Sequence, residues 1–206
     1  KNEDLNGEAY AALAYNTSLP MYKNIKDKNS INFLTPKLSF RYAPGHMRDI
    51  DDDNLKLSYS NLFDLNKNSQ LDVIESGASF TAGFEFGNQD FINNNTGDEN
   101  YSFYIGQVYN LEENFDMPTR SSLDQKASDI VGNASVKFNK NFSISNEFTL
   151  DHNLNDINYN DLQANFLLGK AKFNMGYLEE SNHIGNSSYL KSDVQLKINN
   201  SNNLSF

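Results

Sequence analysis

The fold is decided by residues 128–151, which read SDIVGNASVKFN, then Lys140-Asn141, then FSISNEFTLD. From Ile130 to Phe138 every second residue is apolar or glycine, and most of the residues between them are polar. After a two-residue turn, the same alternation runs from Phe142 to Leu150. Side chains on a β-strand point alternately to opposite faces, so both runs predict strands with one apolar and one polar face.

Three further alternating runs follow, at residues 162–168, 171–177 and 190–198. The links between the runs alternate in length: Asn139–Asn141 and Gly169-Lys170 are short, whereas the polar links near 152–158 and 179–188 are longer. Short turns that alternate with longer loops are typical of an up-and-down membrane barrel. A soluble β-sandwich also has alternating strands, but its links show no such parity. The pattern therefore favours the barrel.

Upstream, alternation predicts four more strands, at residues 9–19, 34–42, 76–86 and 101–111. The residues at 21–30 and 88–100 are interpreted as polar links. Pro36 falls inside a predicted strand and is expected near a rim or at an imperfect pairing, because it cannot donate a ladder hydrogen bond. We count nine strands and the start of a tenth at 203–206.

The predicted fold class is therefore all-β: an antiparallel up-and-down transmembrane β-barrel, of which this chain holds about nine to ten strands. Residues 1–206 are expected to form a single partial outer-membrane barrel domain with long loops at 45–75 and 111–128. The charged opening at 1–4 and the unfinished strand at the other end indicate a piece of a longer protein.

The amino-acid composition excludes some classes of function. The chain carries a net charge of -10, has no Cys, and is only 38% hydrophobic, yet it holds 15 Phe and 11 Tyr. An acidic chain without a basic stripe is a poor nucleic-acid partner. The absence of Cys excludes disulfides and cysteine-metal sites. Many aromatic residues in a polar chain fit a wall with one lipid-facing and one wet side.

Two sets of residues have side chains that could bind a metal or act in catalysis. Asp49, Asp51 and Asp53 match the first positions of a calcium loop, but Asn54 stands where Gly is needed and Ser60 where Glu is needed. A solvated acidic loop is therefore favoured over a weak calcium site. The three histidines, at 46, 152 and 183, lie far apart in predicted loops. No catalytic set and no cofactor is predicted, so an enzyme is not expected.

Charged residues also occur on the polar faces of the predicted strands. We predict that they face the lumen and form a hydrated wall. These candidates are Lys37, Arg41, Glu85, Lys137, Glu147, Lys191, Asp193 and Lys197.

Several stretches carry a family resemblance. They are LTPKLSFRYAP at 34–44, SNLF at 60–63, LDVIESG at 71–77, GQVY at 106–109 and SDIVG at 128–132. In this order and spacing they resemble the C-terminal barrel of the lipopolysaccharide-assembly outer-membrane family (LptD, also called OstA or organic solvent tolerance protein). The chain departs from the family pattern at Lys67, at Ser69-Gln70 and at Val73, which indicates a divergent member.

The resemblance implies a protein of the Gram-negative cell outer membrane that inserts lipopolysaccharide (LPS) into the outer leaflet. Its implied partners are LPS, a plug lipoprotein (LptE-like), membrane lipids, and periplasmic LPS-bridge proteins that act through an N-terminal domain absent from this sequence. The resemblance also implies a lateral opening between the first and last strands of the barrel, and this piece is expected to form wall and to hold neither of those strands. Some of the charged lumen candidates are then expected to guide a phosphate-bearing amphiphile or to contact the plug protein. Two alternatives stay open: a general porin or solute-transporter barrel, and a soluble all-β binding protein.

Overall fold

Alternating side chains produce an almost entirely β structure. The computed structural model describes residues 10–25, 29–50, 55–68, 73–92, 95–181, 186–197 and 203–205. Its described strands are β1 Leu13–Ser18, β2 Met21–Ile25, β3 Ser30–Ala43, β4 Gly77–Ile92, β5 Asn95–Asn110, β6 Ile130–Asn139, β7 Phe142–Leu150, β8 Ile157–Leu168, β9 Ala171–Glu180, β10 Ser187–Lys197 and β11 Asn203–Ser205. A short 3-10 helix covers Thr119–Ser121. Among the described residues, no helix has the length and apolar character needed to cross a bilayer.

The strands form one antiparallel sheet in which, from β3 onwards, each strand pairs with the next along the chain. The sheet is open, with β1 and β11 at the two ends of the described order. The strand ends that border the long connections 44–76, 111–129, 151–156 and 181–186 lie on one side of this meander. The strand ends that border the two-residue connections after β4, β6 and β8 lie on the other side. The predicted partial up-and-down barrel is therefore confirmed.

The first strand of the sheet is interrupted. Both β1 and β2 pair with β3, at Lys37–Tyr42 and Ser30–Leu34 respectively. The break between them lies at Leu19-Pro20, opposite the middle of β3, where the Leu19 amide donates to the Pro36 carbonyl at 3.0 Å. Pro36 has no N–H and therefore cannot donate a hydrogen bond back to the β1–β2 side, so the imperfect pairing lies between β3 and these two strands. Pro36 is thus at the strand centre and not at a rim.

Two predicted links are wrong. Residues 21–30 contain β2, and most of residues 88–100 belong to β4 and β5, which continue through register shifts near Gln89. The polar side chains there support the ladder instead of ending it. The Asn88 amide donates to the Ile31 carbonyl at 3.2 Å, and the Asn100 amide donates to Asn88 Oδ1 at 2.8 Å.

The ladder register assigns every paired residue to one of two faces. Residues directly opposite one another share a face, so the face of Lys37 continues through Gly83, Gly106, Val131 and Thr149 and on across the sheet. We call it the polar face, and we call the opposite one the apolar face. The apolar face is exposed along its length, with Phe138 60% and Leu190 77% accessible.

The apolar face carries no second protein layer among the described residues. Its rings pack side by side within the face: the ring centroids of Phe138 and Phe142 are 4.9 Å apart, and those of Phe142 and Phe166 are 4.6 Å apart. The buried hydrophobic cluster lies on the other side of the sheet, around Leu62 and Val108. A soluble sandwich would bury these rings under a second sheet, so the arrangement is that of a membrane wall.

Candidate functional site

The connection between β3 and β4 spans residues 44–76, and its described residues, 44–50, 55–68 and 73–76, fold back over the polar face. We call them the docked insertion. Its described residues and the β5–β6 connection share one hydrophobic cluster with the wall. Its buried members are Met47, Ile50, Leu55, Leu57, Leu62, Val73, Val108, Met117, Leu123 and Val131. Among the described residues, the hydrophobic core therefore joins two connections to β5 and β6 and does not lie between two sheets.

Two glycines make room for the docked insertion. Gly83 on β4 is paired directly with Gly106 on β5. A Cβ at Gly106 would collide with the Leu62 side chain, and a Cβ at Gly83 would lie 3.1 Å from the Phe63 ring. Leu62 is fully buried at 0% exposure. The wall is therefore reduced to bare backbone at the point where the insertion packs most closely.

Charged and aromatic contacts extend the docking across the sheet. Lys37 on β3 forms an ion pair with Glu85 on β4, and the Tyr59 hydroxyl donates to the same carboxylate at 3.2 Å. Further along, Lys56 Nζ lies 2.6 Å from Glu147 Oε1 on β7 and 3.2 Å from the ring centroid of Tyr159 on β8. The insertion thus bridges the wall from β3 to β8.

Arg41 binds the part of the docked insertion that leads back to β4. It is 2% exposed, and its Nε donates to the Leu65 carbonyl at 2.6 Å while its Nη2 donates to the Glu75 carbonyl. Lys67 Nζ lies 3.5 Å from Glu75 Oε2, with both side chains buried. Burial lowers the pKa of Lys67, and the neighbouring Glu75 carboxylate opposes that shift.

All eight predicted lumen candidates lie on the polar face, as the ladder register requires. The structure brings Lys37, Arg41, Glu85 and Glu147 together under or beside the docked insertion. Lys137 instead pairs with Asp98 across the β5–β6 ladder, at 2.6 Å. Lys191, Asp193 and Lys197 lie on β10, away from the insertion. Arg41 is buried beneath the docked insertion. The lumenal role of the eight residues stays a prediction.

The remaining polar face, on β8 to β10, is open and rich in amides and carboxylates; we call it the open strip. It borders a cleft of about 1240 Å³. The amides of Asn174 and Gln195 donate to Asp193 at 2.9 and 3.1 Å, and Gln163 donates to Asp161 at 3.1 Å. Because these groups sit at an accessible surface, they can exchange their partners for the hydroxyl groups of a bound molecule.

The sequence did not predict one cluster of metal-ligating side chains. Asp129, Asp151 and His152 place their ligand atoms within 4.8 Å of one another. Asp129 precedes β6 and Asp151 follows β7, so the pairing of Ile130 with Leu150 sets them opposite each other. This hairpin register was the signal available in the sequence. The pKa of Asp129 is raised because the carboxyl group is buried. A 2.8 Å hydrogen bond from Asn158 opposes this shift.

These three groups could hold a cation, but Asp129 is already bonded by Asn158, and His152 Nδ1 lies 3.2 Å from Asp151 Oδ1. Of the predicted calcium candidates, Asp49 is exposed, and Asp51 and Asp53 lie outside the described residues. The structure therefore brings no calcium-loop ligands together in the part of the chain that it describes.

The two-faced antiparallel meander, with its long connections at one end, defines a wall segment of an outer-membrane β-barrel protein. The family model for LptD, described as LPS transport system D, matches residues 10–204. The chain therefore belongs to the LptD family, which acts in lipopolysaccharide transport and assembly at the Gram-negative outer membrane. This is a family of transport and assembly proteins. No curated protein matches the chain.

Proposed function

We propose that this wall takes part in the insertion of LPS into the outer leaflet, with the saccharide part of LPS passing along the polar face. The observation that carries the proposal is the open strip on β8 to β10, which lies beside a docked insertion that covers the earlier strands. Saccharides are recognised by hydroxyl contacts to amides and carboxylates, and the strip offers these groups in rows.

The apolar face complements this path. Closure of the barrel leaves no unpaired backbone in the hydrocarbon, so acyl chains meet only the apolar side chains while the polar groups stay on the inner side. A plug lipoprotein inside the barrel and periplasmic LPS-bridge proteins are partners that we propose from family membership. The plug would contact the same open strip, since the docked insertion occupies the neighbouring wall.

The test converts the open strip to an apolar surface. Asn174→Leu combined with Asp193→Leu removes hydroxyl-binding groups from β9 and β10, and Val194→Leu, on the apolar face of β10, is the matched control. We expect the double variant to slow the arrival of pulse-labelled LPS at the cell surface by about tenfold, which corresponds to about 1.4 kcal/mol. The control should deliver LPS at the normal rate.

The same strains distinguish the porin alternative. Normal LPS delivery by a folded double variant would contradict the proposed path. If the variant instead changed only the ion conductance of the purified protein in planar bilayers, a general solute channel would be supported.

A further inference from the structure

A groove of about 520 Å³ crosses the apolar face, and it is separate from the polar-face site. It runs diagonally from the middle of β3 to the start of β6. Its apolar lining includes Leu34, Leu38, Ala82, Phe84, Ile105 and Ile130. No charged residue contributes to this lining.

The groove exists because the wall is thin at this place. Ala82 lies between Leu38 and Gln107 in the ladder, and its small side chain leaves a low point between the larger residues around it. Gly83 and Gly106, which also line the groove, are the glycines that accept the docked insertion on the other face. One set of small residues therefore produces the docking floor on one side and the groove on the other.

The polar groups of the groove lie at one end and are already satisfied. The Tyr109 hydroxyl donates to Gln107 Oε1 at 2.6 Å, and Gln107 Nε2 donates to the Ser128 carbonyl at 2.7 Å. A ligand in the groove therefore needs no hydrogen-bonding group along its length. This excludes a peptide backbone, which would lose its own hydrogen bonds there, and fits a hydrocarbon chain.

The dimensions also fit one acyl chain. In the ladder Phe40 faces Phe80, and Phe80 faces Tyr109, so the groove extends from Leu34 to the level of Phe40. Six strand residues span about 20 Å, and a tilt of about 40° reduces this to a depth of about 15 Å. Half of a hydrocarbon core of about 30 Å is the same depth. The groove ends at the side of the long connections, which face the cell exterior in such barrels.

We propose that this groove binds one acyl chain of LPS in the outer leaflet. The groove is continuous with the lipid-facing surface of the wall. The proposal rests on the proposed function for the presence of LPS at this leaflet. The chain would lie along Ala82, with its headgroup end at Tyr109. The wall thereby holds a molecule of its cargo class against the outside of the thin region.

The test uses photo-crosslinking in living cells, whose outer leaflet contains LPS. A photoreactive benzophenone residue replaces Leu38 in the groove or, as the control, Leu162 on the apolar face of β8, and LPS adducts are detected with an antibody. We expect at least fivefold more adduct from position 38. Ala82→Phe fills the groove and should abolish this excess, whereas Ala164→Phe, on the apolar face of β8, should not. Heat-modifiable electrophoretic mobility verifies that each variant is folded.

Equal LPS adducts from the two positions, or adducts at position 38 that survive Ala82→Phe in folded protein, would overturn the proposal. So would adducts that contain mainly phospholipid. These results are distinguishable from failure of the proposed function, because LPS delivery is measured in the same strains. Normal LPS delivery without excess LPS adducts at position 38 would overturn only the groove proposal. Lost LPS delivery in the open-strip variant would leave the result of the crosslinking assay unchanged.

Discussion

Lys56 and Glu147 lie 91 positions apart in the sequence, yet their side chains form an ion pair of 2.6 Å between the docked insertion and β7. The ammonium group of Lys56 also lies over the Tyr159 ring. The pair is partly buried, which protects it from screening better than a surface ion pair. Through these two contacts, Lys56 carries the insertion across the wall to β7 and β8, at the edge of the open strip.

We predict that Lys56→Met loosens the docked insertion without unfolding the wall. The lost ion pair and cation–π contact should amount to about 1 kcal/mol, so amide hydrogen exchange across residues 55–68 should accelerate about fivefold. Exchange within β8 and β9 should stay unchanged. Lys126→Met, at an exposed position in the β5–β6 connection, is the control and should change neither region. Unchanged exchange in the Lys56 variant would show that the pair does not hold the insertion.

A second prediction concerns the glycine floor. Gly106→Ala introduces a Cβ that collides with Leu62 and lies 2.8 Å from the Ala82 carbonyl oxygen. Overpacking of this kind costs about 1–3 kcal/mol. We expect a lower urea midpoint for the protein folded in lipid vesicles.

The matched control for this prediction is Gly176→Ala on β9. Its added methyl group would have its nearest neighbours at 4.0 Å, so it should be tolerated. Equal midpoints for the two variants would contradict the packing of Leu62 against Gly106.

A third prediction tests which face meets lipid. Leu162 and Gln163 are neighbours on β8, and their side chains point to the apolar and the polar face respectively. Leu162→Arg should destabilise the protein in vesicles by about 2–4 kcal/mol, the cost of an arginine on the lipid face near the bilayer midplane. Gln163→Arg should have little effect. If both variants fold with equal stability in vesicles, the membrane assignment of the apolar face is wrong.

A fourth prediction follows from the raised pKa of Asp129. The pKa of Asp129 is 3.8 in the unfolded chain and higher in the folded protein. As the pH rises through this interval, the unfolded chain releases the Asp129 proton more readily than the folded protein does, so the free energy of unfolding falls. Asp129→Asn should therefore increase stability at pH 7, and the difference should disappear below pH 3.8. Unfolding midpoints measured across this pH range provide the check.

The exposed Asp49→Asn serves as the control and should show no such gain. Loss of stability at pH 7 in the Asp129 variant would contradict the burial argument. If that loss depended on added divalent cation, a metal bound with Asp151 and His152 would be indicated.

Period-two alternation was sufficient to predict the hairpins from β6 to β10, because one face of each strand is apolar. It failed at β2, where Lys23 and Asn24 lie on opposite faces, and in the outer parts of β4 and β5, which are rich in amide and acidic residues. There the backbone ladder and amide side chains, such as those of Asn88 and Asn100, hold the strands together without an apolar signal.

The contacts of the docked insertion could not be predicted from the sequence, for a different reason. Its apolar residues indicated that it packs somewhere, but its contacts depend on the pairing of Gly83 with Gly106 and on partners as distant as Glu147. Such contacts follow from the register of the whole sheet and not from local composition. The face of the eight charged candidates could be predicted because strand parity alone assigns it.

The proline break in the first strand also bears on how the wall is assembled. β3 and β4 pair without interruption from Ser30 with Asp90 to Ala43 with Gly77, whereas the β1–β2 side is divided at Leu19-Pro20. An uninterrupted ladder can zip residue by residue, and a divided one must nucleate twice. We expect the β3–β4 ribbon to form first during biogenesis, with the N-terminal side added to it as the last and most easily opened seam of this segment.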